Sequence, residues 1–578
     1  MRPCPFVVRA VVCGAASGLI SGLGGCTSAE RRAGPAARSA PLFEGIGTHK
    51  RQVTTDSPAA QRYFNQGLVW AYAFNHDEAI RSFKAAAEDD PQCAMAWWGV
   101  ALANGPHINN PVMEPERSQA AWAALREAQA RVATASAVEQ DLIAALAARY
   151  ADPAPADRRP LDEAYAAAMR EVYQWHRADP DVATLYVEAL MDLQPWDLWA
   201  KDGQPKGNTS EILTLLEDVL AREPEHPGAC HLYVHAVEAS PHPEKANAAA
   251  EYLRNAVPIS GHLVHMPSHI DVQTGRWALA ADQNRRAIAA DKRYREISPR
   301  QGFYRVYMAH NHHFLAFASM MAGCSEAALQ AARGMIAGVP DDFIREKGAW
   351  IDPWMMIALD VLKRFGRWED ILREPAPPKE LRITTAFWHY CRGVAHAALG
   401  QVADAEREQA EFRKAVQRVP EDATMGVNPA RKVLAIADHM LSGELAYRRG
   451  EIDGAVAELR KAIAIEDDLR YMEPPEWIQP VRHTLGAVLV DAGRFAEAEQ
   501  VYREDLAIWP ENGWALHGLA QSLRAQDKHA AAAGAEERFA KVWRRADVEI
   551  ATSCLCVPGK AAAARPAHAA DATREVAE

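Results

Sequence analysis

This chain has no excess of positive charge. Its 578 residues carry 64 Lys and Arg against 76 Asp and Glu, a formal net charge of -12 with a pI near 6.0. A surface built to hold phosphates would be basic, so nucleic acid is not expected as a partner. The apolar stretch from Val11 to Gly25 is too short and too Gly-rich for a spanning helix, which needs roughly 20 apolar residues. There is no disulfide framework either. Cys93, Cys230, Cys324 and Cys391 stand alone and are expected to pack as small hydrophobes, and Cys554-Leu-Cys556 is the one close pair. A C-x-C pair beside a tail is thin support for a metal or redox site. Strand alternation, a phosphate-cradling loop, a dinucleotide fingerprint and a Ser-His-Asp signature are all missing.

The N-terminus reads as an export signal. Arg2 and Arg9 precede the apolar stretch, which ends in Leu23-Gly24-Gly25-Cys26, a lipobox-like run with Cys26 as the lipidated residue. The expected protein is periplasmic, or anchored to the cell envelope through a lipid on Cys26. The alternative is an unstructured leader on a cytoplasmic chain. Residues 27–57 are small, polar and Arg-rich and read as a flexible tether, and residues 547–578 read as a disordered tail.

The full chain has 49% hydrophobic and 24% charged residues, ordinary for a folded protein, and between tether and tail its Ala-rich runs are helical in pattern. One spacing recurs: a small residue, Ala twelve later, a large residue four later, Ala three later and Pro five after that. Gly67, Ala79, Phe83, Ala86 and Pro91 fit it fully. Gly486, Ala498, Tyr502 and Pro510 fit with Asp505 in the second Ala place, and Gly443, Ala455, Leu459 and Ala462 fit another unit. Gly393 with Ala405 and Gly518 with Ala530 are weaker. This is the tetratricopeptide repeat (TPR) pattern, whose period is 34 residues. The predicted fold is all-α, a TPR solenoid of helix pairs in a right-handed superhelix with a concave groove. Residues 58–225 hold N-terminal and degenerate repeats, 226–340 a His-rich central segment and 341–546 the C-terminal repeats.

Nine of the 21 His fall within residues 231–313. His231 and His235 are spaced i, i+4, as are His265 and His269, so each pair shares a helix face. The two pairs are one repeat apart. With Ala246 and Ala280 aligned as equivalent repeat positions, the pairs fall in register, and His262 and Glu238 fall on the same groove face. His310 and His313 open the next helix and close the site from a third direction. Neutral imidazole is the commonest side-chain metal ligand. The expected ligands are therefore His231, His235, His262, His265, His269, His310 and His313. The expected cofactor is a divalent transition metal, Cu or Zn. Glu238 is the candidate catalytic residue, as a general base on metal-bound water, an orienter of a ligand or a ligand itself. Three bound His with an open position would make a catalytic type of site, and four would close it. The spacing is not His-Glu-x-x-His, so protease chemistry is not implied. The competing reading is a polar groove whose His contact a ligand directly or satisfy buried partners.

Weaker features accompany the cluster. Glu188 and Asp192 share a helical face and read as an acid/base wall or, more simply, a polar helix edge. The run from Gly105 to Pro111 reads as a groove-lining loop or an inter-repeat turn. Tyr471-Met-Glu-Pro-Pro-Glu-Trp477 reads as a structural turn.

The runs His231 to Ser240, Gly261 to Ile270 and His310 to Phe314 resemble those shared by a group of bacterial TPR-containing proteins. The resemblance covers nearly the whole chain after its leader. It implies the repeat fold and weight on the His segment, and it names no reaction. Two functions are carried forward. One is a metal-dependent protein or enzyme with a small molecule in a groove walled by Trp196, Trp199 or Trp350. The other is a scaffold that binds peptides or proteins in the groove without catalysis. Phe64 and Leu68 at groove positions argue against a carboxylate clamp. A metal carrier or sensor is a third, weaker reading.

Overall fold

The computed structural model describes residues 40–299 and 301–557. The leader with Cys26, the first part of the expected tether and the tail beyond residue 557 lie outside the described residues. Among the described residues the regular strand is confined to one two-residue antiparallel pair, Thr424–Met425 with Asn428–Pro429. The rest of the regular structure is helix. Consecutive helices pack as hairpins, Pro58–Tyr72 on His76–Asp89, Arg382–Ala398 on Val402–Arg418, Ala430–Arg448 on Ile452–Asp467 and Gly513–Arg524 on His529–Val542. Each hairpin also packs on the next, which makes the chain a TPR α-solenoid.

The recurring spacing has a packing cause. Phe83 is fully buried between two glycines: a Cβ on Gly67 would lie 2.7 Å from its ring, and one on Gly99 would lie 2.5 Å from it. Tyr502 sits in the same way between Gly486 and Gly518, at 2.4 and 2.1 Å. The large residue of one repeat thus wedges against the small residue of its own repeat and of the following one. Gly518→Ala is expected to cost about 1–3 kcal/mol through overpacking. A lower denaturant midpoint at unchanged slope would show it, and an unchanged midpoint would refute it. Caps fix several helix starts. Ser57 accepts the Ala60 N–H, Asn75 the Glu78 N–H and Ser260 the Leu263 N–H.

Two segments behave differently from their composition. Residues 40–57 are packed rather than a free tether. Phe43 and Val53 are buried, the Phe43 N–H donates to Gln66 (2.8 Å), and Arg51 pairs with Asp179 (2.8 Å). A few apolar side chains among polar ones suffice once a slot exists for them. At the other end, Asp547 accepts the N–H groups of Ser325 and Glu326, at 2.6 and 3.0 Å. Cys554 and Cys556 are buried and joined in a disulfide, so the pair read as a thin metal or redox signal has its sulfurs engaged with each other.

The central repeats also meet the C-terminal ones. Gly275, at φ +76°, turns the chain directly beneath Pro510, whose carbonyl oxygen a Cβ would approach to 2.7 Å. Trp277 Nε1 donates to that same oxygen (2.9 Å), and Lys201 Nζ reaches Asp468 (2.9 Å). These contacts span the groove beside a partly open cavity of about 1210 Å³. Trp196, Trp199, His235 and Glu238 line one side of it, and Tyr471, Trp477 and Trp509 the other.

Candidate metal centre

The helix Pro227–Val237 opens on a proline, and its cap is His226, whose Nδ1 accepts the Ala229 N–H (3.1 Å). His231 and His235 follow one turn apart, and Glu238 closes the helix. The second pair does not lie on one continuous helix, as its spacing predicts. Gly261–His265 and Pro267–Gln273 meet at Met266, because Pro267 has no N–H to give the carbonyl of Leu263. The His269 N–H instead donates to the Met266 carbonyl (3.2 Å). His265 and His269 still stay together across the break, with their Nε2 atoms 2.9 Å apart.

The structure sorts the histidines into two trios, buried except for the half-buried His310. His231, His235 and His262 form the first, and His265, His269 and His310 form the second. In each trio one nitrogen per ring lies within 4.8 Å of the others. The Nε2 atoms of His231 and His262 are 3.1 Å apart. His310 comes from the helix Arg305–Met321, with its ring 4.7 Å from that of His265 and 6.0 Å from that of His269. Phe314, one turn on, packs against both.

The tautomers follow from the outer partners. His231 Nδ1 is 2.6 Å from the Tyr72 carbonyl, which can only accept, so Nδ1 carries the hydrogen and the neutral ring leaves Nε2 bare. His265 Nδ1 donates to Asn284 Oδ1 (2.7 Å), and that amide is oriented by its own donation to the Ala280 carbonyl (2.9 Å). His235 Nδ1 faces Glu238 Oε1 (3.1 Å). His269 Nδ1 donates to Glu473 Oε2 (2.7 Å), with Glu238 Oε2 2.8 Å from the same nitrogen as an ion-pair contact outside hydrogen-bond alignment. Four rings are thus held by Nδ1 with Nε2 turned inward. The His235 Nε2 is buried with no hydrogen-bond partner. Outer partners of this kind are what fix metal-ligating imidazoles.

Two bare nitrogens 2.9 Å apart, as at His265 and His269, would repel unless a cation lay between them; at the first trio His262, whose Nδ1 has no partner, can carry its hydrogen on Nε2 and donate to the bare His231 Nε2 (3.1 Å). Metal–nitrogen bonds of about 2.0–2.1 Å meeting at about 90–100° would give that separation. Among protein groups alone, a proton takes the cation's place at the second trio. Burial disfavours charge on His269, but Glu238 and Glu473 override it and raise its pKa. Burial would raise Glu238 too, yet His269 and His235 hold it low. Glu473 is pushed up by burial, against the pull of His269. Burial and the neighbouring imidazoles hold His231, His262, His265 and His310 well below the ordinary His value, so these rings stay neutral and fit to ligate.

His313 stands outside both trios, its ring stacked on Trp354 at 5.6 Å. Trp350 is 48% exposed and does not line the cavity. Glu188 and Asp192 form a buried polar edge beside Arg149. A third cluster, His49, Asp181 and His226, is a hydrogen-bond node. Because His226 Nδ1 accepts a backbone N–H, its Nε2 carries the hydrogen and donates to Asp181 (3.2 Å), leaving no lone pair for a metal. Sequence reasoning did not find Glu473, Asn284 or the Tyr72 carbonyl as partners of these rings. The one available signal for Glu473 was an acidic residue in a Pro-rich turn flanked by aromatics.

No protein-family model matches the chain, and no curated protein matches it. Among solved structures, a human IFIT1 dimer with m7Gppp-AAAA shares 11% identity at a TM-score of 0.29, covering 85% of this chain and 91% of that one. The APC/C hetero-tetramer Cut9-Hcn1 shares 12% at 0.29, covering 86% of this chain and 78% of that one. At this level the likeness carries no argument about the chain.

Proposed function

We propose that this chain is a TPR solenoid that holds a transition metal on its central histidines and presents it to a small molecule in the adjoining cavity, as a metal-dependent enzyme. The observation that carries the reading is the convergence of Nε2 atoms within each trio, with the Nδ1 atoms of His231, His235, His265 and His269 held by acceptors. His235 and Glu238 border the cavity, which gives a ligand in it a path to the first trio. Glu238 sits with one oxygen toward His235 and the other toward His269, a placement that suits an orienter better than a base. The resemblance to bacterial His-rich TPR proteins and the lipobox-like Cys26 support export to the envelope. The Cys554–Cys556 disulfide fits an oxidising compartment.

The second reading is a binding scaffold without catalysis. Helical repeats commonly offer concave binding surfaces. The cavity, at about 1210 Å³, also exceeds the usual small-ligand range of roughly 300–1,000 Å³.

Metal analysis of the purified chain beside its His231→Ala/His265→Ala variant separates the two. Bound metal that is lost in the variant, with helicity intact, supports the first reading. No metal in either protein after incubation with Cu and with Zn leaves the scaffold.

A further inference from the structure

Resting on that reading, we infer that the centre is dinuclear, a pair of copper ions, one in each His trio, with dioxygen as its ligand. The trios are built alike. Each takes an i, i+4 pair from one repeat and a third His from a later helix: His231 and His235 with His262, then His265 and His269 with His310. The pairs repeat at the 34-residue step, while the third His is supplied separately, His262 by the helix Gly261–His265 and His310 by Arg305–Met321. The trios abut. The rings of His235 and His269 are centred 5.6 Å apart, and those of His262 and His265 6.1 Å apart. Glu238 spans them, with Oε1 on the His235 side and Oε2 on the His269 side.

The donor set points to copper. Each trio offers three imidazoles, His269 giving up its proton when a metal binds, and neither a thiolate nor a carboxylate ligand, since Glu238 and Glu473 address Nδ1 atoms. Two divalent ions would set four positive charges against the two buried carboxylates, Glu238 and Glu473, at rings that are 5% exposed or less in the first trio. Two Cu(I) ions halve that charge, and imidazole suits copper. A three-nitrogen site keeps a position open for an exogenous ligand. Two Cu(I) ions held by these histidines would supply dioxygen with one electron each, which would leave two Cu(II) and one peroxide. No other reductant enters that step.

The test is copper content with electron paramagnetic resonance on the full chain, loaded with Cu(I) and then exposed to air. The expected result is about two Cu per chain with far less than two spins of signal, because the two Cu(II) ions couple. A His231→Ala/His262→Ala variant should keep about one Cu and show its full single spin. If that variant does not fold, His310→Ala, which removes one ligand of the other trio, should also give an uncoupled signal. Two Cu with two full spins, one Cu per chain, or retention of two Zn but no Cu would each overturn the inference while leaving a metal protein. No metal of any kind would overturn the proposed function itself.

Discussion

Arg149→Met should leave a folded chain less stable by about 3–5 kcal/mol near pH 8, the usual result of removing one partner from a buried ion pair. Arg149 is 1% exposed. Its Nη2 donates to Asp192 and to the Pro106 carbonyl (3.0 Å), and its guanidinium lies 4.6 Å from the centre of the Tyr165 ring. Burial raises the pKa values of both Glu188 and Asp192, and the Arg149 charge opposes this at both. Methionine keeps most of the volume and removes the charge, so two buried carboxylates face each other without a cation. The pH dependence follows from the sign of the shift. A carboxyl whose folded pKa lies above its unfolded value contributes stability that is complete below the unfolded pKa and is lost as pH rises through the folded one. The deficit of the variant should therefore shrink between about pH 8 and pH 5 as the two groups take up protons. Denaturant midpoints of both proteins at the two pH values measure this. An equal deficit at both would assign the loss to packing over Tyr165 instead.

Glu238→Ala is expected to weaken metal binding at both trios together, by about 10–100-fold, the usual cost of losing a partner behind a ligating imidazole. One carboxylate stands behind His235 in the first trio and His269 in the second, and without it both rings lose an Nδ1 acceptor or its charge. Asn284→Leu is the contrasting change. It removes the acceptor behind His265 only and should weaken the second trio alone. Titration against a chelator, with metal counted per chain, distinguishes the two patterns. Loss confined to one trio in the Glu238 variant would contradict the spanning role.

Much of this was legible in the chain because it is written at fixed spacing. The wedge of Phe83 between Gly67 and Gly99 is the physical form of the repeat template, and a template can be read from one sequence. The register of the two His pairs was legible for the same reason, since equivalent positions of stacked repeats come to lie side by side. The division into two trios was not, because it depends on which ring His262 and His310 turn toward. Glu473 was beyond reach. It meets His269 across 204 residues of chain, and no periodicity encodes where a solenoid returns to itself. The break at Pro267 was written in the sequence, but the i, i+4 spacing outweighed it. The burial of residues 40–57 turned on a few apolar side chains in a stretch whose composition is otherwise that of a linker.

The contacts that span the groove change what kind of spring this molecule is. An open solenoid touches only its nearest neighbours, so it can stretch, and it can fray repeat by repeat from either end. Here the turn at Gly275 is seated under Pro510, and His269 is held by Glu473. The coil between them is a loop fastened at both ends. Its repeats cannot extend without pulling on the histidines, and the two trios sit at the clasp.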